Sequence, residues 1–447
     1  MNTRSRPALG LRDATSVVIG AIIGVGIFFS PRDVARLTGG ADAALLAWAI
    51  GGVIALLGAF TFAELGRLQP RSGGQYHVLR DAYGRAPAFL FVFCNLTAVQ
   101  AGAVAIIAII CAQNLGVALL GHDPSGAWVT AVALMLLWAL TGLNVLGVRP
   151  GAHVQTGTVV LKLVTLAALV ALAAMIPSAG PAPAQPLSAQ ASFGSLFAGV
   201  TITLFAYGGW QQVLWMADEV AEPGRIVPRA IVLGVIVVIA AYLAANWAFL
   251  DLLGFAGTRE AKSLVGDAFA VAWHGAGGRI AAAAVFVSAF GVLNAQFLTG
   301  PRLTWAMARD GQFFAPFARL DARFLTPAPA ILLLAGIATA LLLGLGLDRT
   351  DLLTTGVVVI DATFFALTGL ALPLLRRRAQ VAERGPGWVA WAALAFAALE
   401  LLAIAGSVMA KDVRLVALTG LAWIGVAGLT WLLFFRRARE SAPFPGP

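Results

Sequence analysis

Three features place chemistry inside otherwise apolar stretches of this chain: the glycines of GAIIGVGIFFSP at 20–31, the glycines of FAYGGWQQ at 205–212, and the ionisable side chains Lys162 and Asp361. Gly24 and Gly26 flank Val25, and each glycine costs a helix about 1 kcal/mol relative to alanine. In lipid no water repairs the freed backbone groups, so a break there is tolerated only where backbone lines a cavity. The second half-helix then offers unpaired N–H groups and a positive dipole end, which suit a small anion such as a carboxylate. Taken alone, the same glycines read equally well as small residues for close helix packing. Gly208-Gly209 interrupts a second apolar run in the same way. Interrupted helices at corresponding positions in two halves point to an inverted-repeat transporter with its site at the midplane, and the pair favours a substrate-lining break over packing.

Lys162 falls nine residues into the fifth apolar run, about 13 Å deep at 1.5 Å per residue. An ammonium at that depth must be paired, hydrated or deprotonated, or must snorkel to the interface. With 3 lysines against 27 arginines in the chain, the choice of lysine suggests a compact, titratable or cation-mimicking group that tethers span one to span five. Asp361, in VVVIDATFF, is a candidate proton carrier or cavity-facing group, with a structural carboxylate as the alternative; Glu400 reads as structural or interfacial. The four histidines, His77, His122, His153 and His274, sit in loops or at span ends. No metalloenzyme, hydrolase triad, Walker loop or complete dinucleotide fingerprint is present, so no enzyme, metal or cofactor is expected. Cys94 and Cys111 read as packing residues.

The elements that must position these groups follow from composition. With 60% hydrophobic and 11% charged residues over 447 positions, the chain has more apolar surface than a water-soluble domain can hide. Runs long enough to cross a hydrocarbon core number twelve: 12–38, 41–66, 86–116, 127–146, 153–176, 195–220, 228–253, 278–306, 328–347, 350–375, 388–408 and 413–435. Placing both termini in the cytoplasm puts 21 of the 30 Lys and Arg on the inside and 8 outside, with Lys162 within a span. That bias accounts for most of the +9 charge, and no nucleic-acid partner is read from it. No cleavable signal peptide is evident. The expected division is a first repeat at 1–176, a Pro- and Ala-rich outer linker at 177–194, a second repeat at 195–375, and two further helices with a tail at 376–447. The basic stretch at 63–84 is expected on the cytoplasmic surface, either latched by charges, with Glu64 a candidate partner for an arginine, or simply solvated.

Five stretches in order, GAIIGVGIFFSP, AELGRLQPRSGGQYHVLRDAYG, TGLNVLGVRPGAHVQTGTVVLKL, FAYGGWQQVLWMADEVAEPGRIVPRAI and FGVLNAQFLTGPRLTWAMARDGQF, resemble the amino acid/polyamine/organocation superfamily. Within it the likeness is to the L-type amino-acid transporter branch. The resemblance implies an all-α membrane protein of twelve transmembrane helices with a leucine-transporter-like 5+5 inverted repeat and discontinuous helices 1 and 6. It implies a sodium-independent exchanger or facilitator of neutral amino acids, with a proton-coupled permease or a cationic amino-acid or polyamine exchanger as alternatives. By the same resemblance the substrate carboxylate meets the amides of Gly24, Val25 and Gly26, and its ammonium meets carbonyls of Ile22, Phe205 and Gly208. Phe205 gates the outside, Trp210 lines the cavity, Gln211 stands where an Asn is common, and Lys162 takes the place of sodium; from the residues themselves, Gly208 and Gly209 leave room for a large substrate side chain. Departures are Val25 in place of Ser, Thr or Ala, and Pro301 in place of Ser. Animal members join a glycoprotein through an outer cysteine between spans three and four. Residues 117–126, VALLGHDPSG, carry none, so no disulfide-linked ancillary subunit is expected.

Overall fold

The computed structural model describes residues 9–176, 193–261, 263–273, 275–345, 351–380, 384–409 and 414–436. Residues 177–192 of the expected linker at 177–194, and Arg4, Arg6, Lys262, His274, Arg349, Lys411, Arg437 and Arg439 of the sequence argument, lie outside them. Among the described residues the fold is all helix, with one isolated backbone bridge between Leu9 and Val220 and no strand.

The chain opens with α1 (Leu11–Ile22) and α2 (Gly26–Thr38), bent by 44° across residues 23–25. There follow α3 (Ala41–Leu68), the short α4 (Gly74–Tyr83), and α5 (Arg85–Cys94), which runs through a π-turn (Asn95–Gln100) into α6 (Ala101–Leu120). Then come α7 (Gly126–Val145) and α8 (Val148–Met175). After the undescribed segment, α9 (Phe193–Tyr207) stops two residues before Trp210, and the turn α10 (Gln212–Trp215) resumes the path. The long α11 (Pro223–Glu260), kinked at Gly254, leads to α12 (Leu264–Ala270), α13 (Gly277–Thr299) and α14 (Pro301–Arg309). The remaining helices are α15 (Ala328–Leu345), α16 (Asp351–Arg378), α17 (Trp388–Met409) and α18 (Arg414–Thr430).

Nine helices among the described residues are long and apolar enough to cross a membrane, ten if the bent α1–α2 pair is one span. The apolar part of α15, Ala328–Gly344, is shorter, and α9 ends at the glycine pair. Helices with lipid on one side and protein on the other gain little from hydrophobicity when they associate, so close approach by small residues matters. Accordingly α3 places Gly51 against Thr203 of α9, and Gly58 against Trp210 and Phe396.

At one end of the bundle α4 is latched by charge. Arg80 pairs with Asp81 and Asp310, Arg71 pairs with Asp81 at 2.6 Å, and Tyr83 donates to the Leu367 carbonyl at 2.9 Å. His77, buried beside Arg71 and Arg80, titrates well below the usual imidazole range because burial and then those two cations disfavour its charged form. Glu64, also at this end, pairs with Arg67 at 3.1 Å and Arg376 at 3.3 Å and accepts from the Gly385 amide at 2.7 Å. Of the two readings of the 63–84 stretch, the latch is the one the chain adopts.

Candidate functional site

The two helix interruptions lie against each other. Ile23 leaves the helical region at ψ 88°, and α2 begins at Gly26. Gly209 holds a φ of +123°, and a β-carbon there would lie 2.7 Å from the Ala21 carbonyl oxygen. The end of α1 and the turn after α9 therefore cross backbone on backbone, which only glycine permits. Gly26 is less constrained: its missing β-carbon would meet Ala206 at 3.4 Å. We expect Gly209→Ala to fail both to fold to wild-type levels and to transport, because a methyl group there combines a disfavoured φ, at roughly 1–3 kcal/mol, with a backbone clash. Size-exclusion yield and uptake check this, and a fully active Gly209→Ala would refute the close crossing.

The last carbonyls of α1 lack helical partners, as at every helix end. Three side chains from other helices supply donors. Lys162 of α8, 1% exposed, donates Nζ to Gly20 O at 3.1 Å and to Ile23 O at 2.5 Å. Ser288 of α13 reaches Ile23 O at 3.3 Å and Gly24 O at 2.9 Å. The Tyr242 hydroxyl of α11 lies 3.1 Å from Ile22 O and 3.3 Å from Ala206 O, touching both interruptions at once. Trp48 and Tyr207 pack edge-on and tilted around Tyr242, fixing its ring. Gly291 opens the space for the lysine, since a β-carbon there would stand 3.0 Å from Nζ. The ammonium thus sits on carbonyl oxygens, not at the interface, so the snorkelling alternative does not describe it.

Among the described residues, the amides of Val25 and Gly26 make no backbone hydrogen bond, whereas the Gly24 amide faces the Tyr242 hydroxyl. Val25 and Gly26 thus leave two free donors at the positive end of α2. Of the carbonyls expected to meet an ammonium, Ile22 O already takes the Tyr242 hydroxyl and Phe205 O accepts from the Gly208 amide at 3.3 Å, while Gly208 O takes no bond among the described residues. Each carbonyl oxygen keeps a second lone pair.

The other expected residues divide. Phe205 is 56% exposed, whereas Trp210 is buried and stacked on Phe365 at 5.9 Å, next to Phe396. Its indole is committed to packing against α16 and α17. Gln211 is buried with its carbonyl oxygen unpartnered. Asp361, half-buried on α16, shares its surroundings with Glu400 and Cys94, and no hydrogen bond links it to the interruptions among the described residues. Both cysteines are buried and free. Sequence reasoning missed Tyr242 and Ser288, because a hydroxyl in an apolar run carries no periodic or charge signal.

The family model described as amino acid permease matches residues 9–431. The b(0,+)-type amino acid transporter 1 of Homo sapiens is 31% identical over 350 residues, covering 75% of this chain and 70% of that one. The serine/threonine exchanger SteT of Bacillus subtilis (strain 168) is 30% identical over 446 residues, covering 97% of this chain and 98% of its own. The large neutral amino acids transporter small subunit 2 of Rattus norvegicus is 29% identical over 335 residues, 72% of this chain and 62% of that one.

Proposed function

This chain belongs to the amino acid permease family, and from that premise we propose that it is a sodium-independent exchanger or facilitator of neutral L-amino acids working by alternating access. As a member it is a multi-pass membrane protein that acts on small amino-acid substrates, and not an enzyme. The observation that carries the finer reading is the pair of amides without a backbone partner, Val25 and Gly26, at a break that packs against the second interruption, with Gly26 against Ala206 and Gly209 against the Ala21 carbonyl. Amides on one side and carbonyls on the other complement the carboxylate and ammonium of an α-amino acid, the arrangement that broken helices provide at the midplane of transporters. Neutral substrates fit because neither interruption carries an acid or base, and the name of the serine/threonine exchanger supports small ones.

Sodium independence is supported by Lys162. Its ammonium lies on Gly20 O and Ile23 O, a pair of carbonyls that would otherwise suit a cation. We further read twelve spans, ten of them as two inverted repeats at 1–176 and 195–375 joined by 177–194, with 376–447 added, and with both termini and the α4 end cytoplasmic in a cell membrane. Phe205 is read as the outer gate and Trp210 as its packed base. With no cysteine in 117–126, the carrier works without a disulfide-linked partner.

The test is uptake of a labelled amino-acid mixture, L-serine included, into liposomes holding the purified protein, without sodium and with or without internal amino acid. Uptake that needs internal amino acid supports exchange, and uptake that needs sodium overturns the proposal. A second reading, a proton-coupled permease, is favoured by the burial of Lys162 with no carboxylate partner among the described residues and by Asp361 within the bilayer-spanning part of α16. If Asp361 carried the proton, Asp361→Asn would flatten the pH profile of uptake. On the exchanger reading the expected result is an unchanged profile and a rate within about twofold of wild type.

A further inference from the structure

Between the interruptions and the α4 end of the bundle, α13 and α14 carry a file of polar side chains. Ser288 serves the carbonyls of α1. Farther along, Thr299 donates to Gln212 Oε1 at 3.0 Å, and Gln212 Nε2 donates to Gln296 Oε1 at 3.3 Å. One turn beyond, Arg302 pairs with Glu219 at 3.4 Å, the two side chains only 3% and 8% exposed. Glu219 also fixes the segment before α1: the Leu9 amide donates to its carbonyl at 3.0 Å, and the Ala221 amide donates to Leu9 O at 2.9 Å. Nearby, the Ser72 hydroxyl accepts from the Asp218 amide at 2.9 Å and the Gly73 amide donates to Trp215 O at 2.7 Å.

Beside this ion pair is a narrow cleft with Ser72, Asp218, Glu219, Arg302 and Trp305 among its walls, whose side chains leave room for little more than a water until they part. Two N–H donors of that wall, Arg302 Nε and Trp305 Nε1, are buried and have no acceptor. A buried ion pair is a weak source of stability, and an unmet donor is a cost, so packing alone does not account for the arrangement. Its chemistry has a definite complement. A guanidinium and an indole N–H suit a carboxylate, and a carboxylate about 3.4 Å from that guanidinium suits an ammonium.

We propose that this recess is a second, release-side site for the amino-acid zwitterion, distinct from the one at the helix interruptions. The substrate carboxylate takes Arg302 Nε and Trp305 Nε1, and its ammonium takes Glu219 as the Arg302–Glu219 pair opens. The Glu219 main chain also holds Leu9, so a shift of Glu219 as the pair opens is passed to the anchor of α1. The proposal rests on the transport reading and on the α4 end being cytoplasmic.

The experiment measures half-saturation of L-serine exchange separately on each face of oriented proteoliposomes, for wild type and for Trp305→Phe, which keeps the ring and loses the N–H. The expected result is a rise of about tenfold or more on the α4 face only, as for one lost bond to a charged group, with thermal unfolding unchanged. Glu219→Gln, which keeps an acceptor and loses the charge, should give the same one-sided rise. Unchanged half-saturation in both variants, or an equal rise on both faces, overturns the second site. A wild type that exchanges no amino acid of the mixture overturns the transport reading instead.

Discussion

Gly26→Leu is expected to lower amino-acid affinity by at least about a hundredfold while leaving the protein expressed and folded. In the native chain Gly26 starts α2, its amide unpartnered, with Ala206 of α9 3.4 Å from where a β-carbon would be. A leucine carries three more carbons into that contact, so α2 and α9 must part and the amide set turns away from the carbonyls opposite. Loss of two charge-assisted hydrogen bonds, at roughly 1.5–3 kcal/mol each, is enough for the expected change. Gly26→Ala is the control: its single methyl group stays at ordinary contact distance and should cost less than about tenfold. Binding of labelled L-serine to the detergent-solubilised protein, with a thermal melt on the same samples, separates the outcomes. If Gly26→Leu binds normally, the carboxylate does not sit on these amides.

Lys162→Ala is expected to slow transport by at least about tenfold. The lysine is the only side-chain amine, among the described residues, that donates to the α1 carbonyls, through Gly20 O and Ile23 O. Removing it leaves Gly20 O without a side-chain donor and Ile23 O with Ser288 alone at membrane depth, at about 1–3 kcal/mol for the oxygen left unpaired, and removes the amine beside the interruption. Ser288 keeps a bond to Ile23 O and Tyr242 one to Ile22 O, so α1 should remain helical while its end loses its fixed position. A slower exchange rate with an altered half-saturation is the expected signature. Sodium or another small cation restoring the rate would show that the ammonium stands in for a bound ion. Unchanged kinetics with and without added cation would remove Lys162 from the cycle. Substitution at Gly291, which opens the space for Nζ, should give a milder version of the same defect.

What the sequence determined by itself was set by backbone chemistry and by solvent. Apolar runs separated by basic loops specify membrane helices, and paired glycines in such runs specify interruptions, because lipid offers the backbone no other partner. A lone lysine in an apolar run must find oxygens. Those arguments identified α1–α2, α9–α10 and Lys162 without coordinates. The tertiary structure alone decided which partners met them. Nothing in an apolar run distinguishes Tyr242 or Ser288 from any other hydroxyl until the ends of α1 and α9 bring carbonyls within about 3 Å of them. In the same way the family resemblance implies that Trp210 lines the cavity, and only the fold shows its ring stacked on Phe365 and edge-on to Phe396. Arg302 and Glu219, 83 residues apart, look like two members of basic and acidic boundary segments until the fold buries them together. Local propensity and solvent act on neighbours in the chain and so can be read from it, whereas the pairing of distant side chains depends on the angle at which two broken helices cross, which only the packed bundle sets.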